Sequence, residues 1–320
     1  MRRLIALAVS AGILAVIYWQ IDAGPLLQAL ARSEPALLAI GLAMVVPLIL
    51  LTSWRLSLLA VPLTMLPLGE ATRLTLAASA LNMVLPSKLG DIAKAWAIAG
   101  RGYAPGPFAL SLVVLEKGWD TLALLMWCVF GLAILPHKDP TIIGLGIATL
   151  AAAVAVALAL GWSDAVPLLL KGLHRIAPHW IGARFDSLGE AWVSTVRWFW
   201  RDRPRAAIQI AFSIFIWFLH LLQIWLFALS LHSAMPFLAN LALAPLAIFA
   251  GLLPFTFAGV GTRDAALILL FQAYLTAPAA AALGVLCTLR YLLPALGGLP
   301  FLANYADLVR RARRAGSAGT

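Results

Sequence analysis

Charge is what this chain has least of. Only 11% of its 320 residues are Asp, Glu, Lys or Arg, against about 25% in soluble domains. With 63% hydrophobic residues and a mean hydropathy of +0.96, too little polar surface remains to keep such a chain in water, which excludes a soluble enzyme. Acids are the scarcer sign, 13 against 23 Lys and Arg, for a net charge of +10. The basic residues sit in short loops and at the ends. That pattern orients a protein in a bilayer with an anionic inner leaflet and does not build a nucleic-acid surface. Cysteine is nearly absent too. Cys128 and Cys287 both lie in apolar runs, which leaves no disulfide framework or thiolate metal site. The five histidines show no ligand spacing, so neither a metal nor a cofactor is expected.

What is there is a series of apolar runs. Leu4 to Ile21 is uncharged and, at 18 residues, long enough to span; it lacks a small-residue cleavage site and reads as a retained first span. Pro35 to Trp54 is a second uncharged run, ending at Arg55. Pro107 to Leu135 carries Glu116, Lys117 and Asp120 near its middle. Thr141 to Gly161 and Ala206 to Leu231 are free of charge, and Ala279 to Leu302 holds Arg290 near its centre. The one long polar connection, Trp162 to Arg205, has seven cations against four acids. Phe185, Leu188, Trp192, Val196 and Phe199 recur in it at helical spacing. This is an amphipathic helix lying in the interface or packing on its neighbours as a loop helix.

Two interruptions organise the rest. Asn82 to Ile98 places Pro86, Gly90, Lys88, Asp91 and Lys94 inside apolar sequence. Leu252 to Leu267 echoes it with Pro254, Gly259, Gly261, Arg263 and Asp264. Each has Leu-Pro, then a glycine, then a cation four residues later, and the prolines lie 168 positions apart. Proline breaks the helix and glycine permits the turn. Broken helix at bilayer depth is tolerated only where protein buries it or a wet cavity adjoins it.

Topology follows from charge. If every run crossed the bilayer, the seven-cation segment would face away from the basic N-terminus, against the positive-inside rule. Treating Ala71–Ala99 and Leu238–Leu275 as re-entrant hairpins puts both termini and residues 162–205 on the cytoplasmic side. The expected fold is therefore an all-α polytopic membrane protein, a single transmembrane domain over residues 1–320. It has about six spans plus two re-entrant hairpins, with an inverted-topology repeat of units 35–135 and 206–302. Inverted repeats with paired helix breaks are the sequence signature of transporter binding sites.

The expected chemistry is anion binding. A helix beginning inside the protein presents unpaired N–H groups and a positive dipole end, and Lys88, Lys94 and Arg263 add charge. Asp91, Glu116, Asp120 and Asp264 offset those cations or take up a proton. The candidate substrate-binding set is Lys88, Asp91, Lys94, Glu116, Lys117, Asp120, Gly259, Gly261, Arg263, Asp264 and Arg290, with no catalytic or metal-ligating residue among them. The competing reading pairs the charges internally, Asp91 with Lys94 and Arg263 with Glu116 or Asp120, to fix helix packing.

Three motifs carry a resemblance: N-x-x-L-P-x-x-L-G-D-x-x-K from Asn82 to Lys94, V-V-L-E-K-x-x-D from Val113 to Asp120, and G-V-G-T-R-D-A-A from Gly259 to Ala266. In this order they are similar to the membrane domain of bacterial lysylphosphatidylglycerol synthases and their stand-alone flippase-like relatives. That family usually has Arg where Lys94 and Lys117 stand and Glu where Asp264 stands, swaps that keep the charge. The resemblance implies a lipid translocator, flippase- or scramblase-like, in the bacterial inner membrane, moving a phospholipid or another phosphate-bearing amphiphile. The full-length synthases add a soluble aminoacyl-transferase domain. None follows within the 320 residues, so aminoacyl transfer is not expected, and membrane phospholipids are the expected partners. Two other readings stand beside it. One is a membrane partner subunit of a separately encoded synthase or transferase; the other is a lipid-linked transferase using Asp91, Glu116 or Asp120 as base.

Overall fold

The computed structural model describes residues 23–60, 66–85, 90–136, 139–174, 179–252 and 260–302. The expected first span (Leu4 to Ile21), Pro86, Lys88, Pro254, Gly259 and the basic tail lie outside the described residues. Everything regular within them is helical: α1 (Ala23–Ala31), α2 (Pro35–Ala43), α3 (Val45–Ala60), α4 (Leu68–Val84), α5 (Ile92–Gly100), α6 (Gly106–Ile134), α7 (Pro140–Gly161), α8 (Ala165–His174), α9 (His179–Arg201), α10 (Arg203–Ser230), α11 (Phe237–Gly251), α12 (Thr262–Leu270) and α13 (Ala277–Gly298), closed by a 3₁₀ turn at Leu299–Phe301. The chain is an all-α polytopic membrane protein.

Helix starts follow local chemistry. Proline, whose fixed φ suits a first turn, opens α2 and α7 and stands second in α6, α10 and α13. Asp139 caps α7 by accepting the Ile142 N–H at 2.9 Å, and Asp202 caps α10 by accepting from Arg205 N–H at 3.2 Å. Four stretches are long and apolar enough to cross a membrane: Pro35–Ala60, Pro140–Gly161, Arg203–Ser230 and Ala277–Phe301. The first is α2 and α3 together, turning at Met44. It runs past Trp54, where the apolar run was expected to end, and takes Arg55 inside the protein. The 29 residues of α6 reach ~43 Å at ~1.5 Å per residue, enough to span despite their three charges.

Packing joins the early and late helices crosswise: α13 lies along α4, while α6 lies along α11. Each crossing depends on one glycine. A Cβ on Gly131 would overlap the backbone of Leu241 and Ala242, and one on Gly298 would overlap the Leu76 carbonyl. Lipid offers no hydrophobic drive for helix association, so close backbone approach through small residues supplies contact instead. The largest apolar cluster, built on Leu221, Phe227, Phe271 and Leu283, binds α10 to α13. A second one joins α5, α6 and α9. There Trp192, Val196 and Phe199 turn inward, and Phe199 stacks on Trp119 with ring centroids 5.5 Å apart. The amphipathic helix α9 thus packs on its neighbours. At the periphery α7 leaves Ile143, Ile147, Leu150, Val154 and Leu158 exposed, the face expected of a helix against lipid.

Candidate functional site

Arg55 projects from α3 toward α6 and is 2% exposed. Glu116 and Asp120, four residues apart, share the face of α6 that meets it. The guanidinium takes Asp120 with both Nη atoms, one at 3.0 Å, and donates to Glu116 Oε1 at 2.9 Å and to Ser213 Oγ at 2.8 Å. Its planar fork allows this bidentate grip. The first turn of α5 adds Lys94, whose Nζ stands 3.1 Å from Asp91 Oδ1 and 3.6 Å from Glu116 Oε1. Lys117 Nζ reaches Asp91 Oδ2 at 3.2 Å and Asp120 Oδ2 at 3.4 Å.

These six groups close a ring of alternating sign: Arg55, Asp120, Lys117, Asp91, Lys94, Glu116 and back to Arg55. Three cations balance three carboxylates, and every member touches two opposite charges. Buried ions are tolerated only with such pairing, because the interior does not replace the water they lose. Gly90 lets α5 approach α4 closely enough to place Asp91 and Lys94. A Cβ there would lie 2.6 Å from the Ala78 carbonyl and from Asn82 N.

The second interruption builds a separate cluster. Gly261, at φ +103°, precedes α12, a backbone angle that glycine adopts freely. Asp264 accepts the Gly261 N–H at 3.0 Å and the Arg263 Nε at 3.0 Å. Arg263 also donates to the Gly284 carbonyl at 2.9 Å and to Thr288 Oγ1 at 2.7 Å, both on α13. The pairing of Arg263 with Glu116 or Asp120 is therefore replaced by one with its own neighbour. The reason is local: Arg55 already occupies both α6 carboxylates, while Asp264 is adjacent and fixed by its cap.

Between the clusters lies a cavity of about 170 Å³. It is roomy enough for several waters or a phosphate-sized group. Asp91, Lys94 and Lys117 line one side; His220, Gln223, Arg290 and Tyr291 line the other, with Thr52, Thr75, Ser79 and Asn82 between. Glu116 and Asp120, expected on its wall, are taken up behind it by Arg55. Arg263, Asp264 and Gly261 are not part of the lining.

Arg290 differs from every other buried cation here. It is 4% exposed. Its Nη1 donates to the His220 carbonyl and to Gln223 Oε1, each at 3.3 Å, and its Nη2 to the Tyr291 hydroxyl at 2.6 Å. Its Nε has no hydrogen-bond partner, as is true of Arg55 Nε and Arg263 Nη1; what sets it apart is that no carboxylate among the described residues pairs with it. The wall formed by the neutral ring and Arg290 therefore carries one uncompensated positive charge.

Arg55 was not among the sequence candidates, because it stands at the edge of an apolar run and reads as a span boundary. A charge count does not reveal it either, because Lys88, Lys94 and Lys117 already match Asp91, Glu116 and Asp120 in number.

No curated protein sequence matches the chain. The family model described as lysylphosphatidylglycerol synthase TM region matches residues 3–298. That match covers the ring, the Arg263 cluster and Arg290 alike, and the chain belongs to the lysylphosphatidylglycerol synthase transmembrane-region family of membrane proteins related to lipid handling.

Proposed function

We propose that this protein moves a phospholipid, or another phosphate-bearing amphiphile, across the bacterial inner membrane without covalent chemistry. The observation that carries this reading is Arg290, a buried cation lining the cavity with no carboxylate among the described residues to balance it. A phosphate would supply the missing charge, take bidentate hydrogen bonds from the guanidinium and find Lys94 and Lys117 across the cavity. The volume fits a headgroup, so acyl tails would stay in lipid while the charged group crosses. Headgroup dehydration is the barrier to lipid movement, and oriented donors in place of water lower it.

The architecture supplies a means of opening. Short α4 and α5, and likewise α11 and α12, act in this reading as re-entrant hairpins of two inverted units, residues 35–135 and 206–302, with both termini cytoplasmic. The matched glycine crossings, α6 on α11 and α13 on α4, support such a relation, since Gly131 and Gly298 stand 167 positions apart. Tilting one unit against the other would expose the cavity to each leaflet in turn.

The test is reconstitution. Liposomes holding the purified protein and a fluorescent anionic phospholipid should show a larger fraction of label reachable by an external quencher than empty liposomes do. The Arg290→Gln variant should return this fraction to the protein-free level. A panel of candidate lipids showing no protein-dependent movement, with and without a pH gradient, would overturn the reading and leave that of a partner subunit to a separate synthase or transferase.

A further inference from the structure

A second cationic pocket lies away from the central cavity, at the corner where α9 ends and α10 begins. Its volume is about 810 Å³; Arg201, Arg203 and Arg205 rim it, with Leu59, Trp198 and Phe199 as an apolar floor. Asp202 supplies one carboxylate, 3.6 Å from Arg205 Nε. Arg201 and Arg203 are exposed and pair with no described acid, so the pocket holds an excess of two positive charges. Helix energetics do not account for this arrangement. A cation in the last turn of α9 suits the helix dipole, but Arg203 and Arg205 stand in the first turn of α10, at its positive end.

The depth of the corner is set by sequence. From Ala206 to Leu231 the chain carries no Asp, Glu, Lys or Arg, and α10 is long and apolar enough to span. Arg203 and Arg205 therefore mark one edge of the hydrocarbon. Trp200, partly exposed, donates its ring N–H to the Leu160 carbonyl at 2.9 Å at the end of α7, the position of an interfacial tryptophan. Arginines at headgroup level beside the half-buried Trp198 match a lipid headgroup: phosphate on the guanidinium groups, glycerol against the Trp198 ring. A free phosphate ion would make no use of that ring.

We propose that this corner is a docking site for the headgroup of an anionic phospholipid in the leaflet it faces. The site is independent of lipid movement through the central cavity, and its test is run in an Arg290→Gln background so that the cavity does not contribute. Native mass spectrometry is applied to protein released from bilayers of equal phosphatidylglycerol and phosphatidylcholine. Phosphatidylglycerol should be retained over phosphatidylcholine. Adding Arg201→Gln and Arg203→Gln should weaken that retention about tenfold, as expected for losing one net charge-assisted hydrogen bond. Lys171→Gln with Arg197→Gln, which removes two exposed cations of the same polar segment outside the pocket, should leave it unchanged, and inorganic phosphate should not displace the lipid. Undiminished retention in the Arg201/Arg203 variant would overturn the site. So would an equal loss in the Lys171/Arg197 variant, equal retention of the neutral lipid, or displacement by phosphate.

Discussion

The two clusters around the helix breaks solve one problem in different ways. In the first, Lys94 and two partner cations share three carboxylates in a closed ring. In the second, Arg263, which stands 169 positions after Lys94, meets Gly284 and Thr288 on α13, the positions 168 beyond Glu116 and Asp120. The same helix positions are thus acidic in one cluster and neutral in the other, where the single adjacent Asp264 supplies the countercharge. Gln223 stands 168 positions after Arg55 and receives Arg290 instead of extending a cation of its own. Both clusters are neutral in themselves, and Arg290, outside either, is the buried cation that lines the cavity. Near-repetition of sequence therefore yields a closed ring of charges in one half and, in the other, a cation that no described carboxylate balances.

The largest effect should come from opening the ring. Asp120→Asn strands Arg55 and Lys117 without one of their shared partners, and breaking a buried pair costs ~3–5 kcal/mol. Thermal unfolding in detergent should show a large fall in midpoint, or the protein should fail to accumulate. A midpoint equal to wild type would mean that the ring does not stabilise the fold.

Asp264→Asn breaks a single buried pair and should fall at the lower end of the same range, ~3 kcal/mol. Only one cation loses its countercharge, and Arg263 retains Gly284 and Thr288. If this variant melts as low as Asp120→Asn, the distinction between a shared and a local charge pairing fails.

The smallest stability change, and the sharpest separation, is expected of Arg290→Gln. It removes an unbalanced buried charge and strands no carboxylate, so the melting midpoint should hold or rise while protein-dependent lipid movement is lost. A fall in midpoint matching that of Asp264→Asn would identify Arg290 as a packing residue.

Most of the helical layout was legible beforehand, because its signals are local. The uncharged runs of α2, α7 and α10 and the prolines at their starts each act over a few residues. Internal pairing of Asp91 with Lys94 was also readable, since three positions on one helix bring the groups together. The competing reading that paired Arg263 with Glu116 or Asp120 fails, because its partner is its own neighbour Asp264. Arg55 escaped notice because a charge at the end of an apolar run normally marks the water boundary.

Composition by itself determined that this chain lives in a bilayer, and charge placement by itself marked residues 82–120 and 252–291 as the places where that rule is broken. Only the tertiary structure decided which charges cancel. Pairing in a low-dielectric interior is set by distances of 3 to 4 Å between side chains from α3, α5 and α6. Sequence separation carries no information about such distances once the chain folds back on itself. The same contacts that neutralise Glu116 and Asp120 against Arg55 leave Arg290 with no carboxylate partner among the described residues.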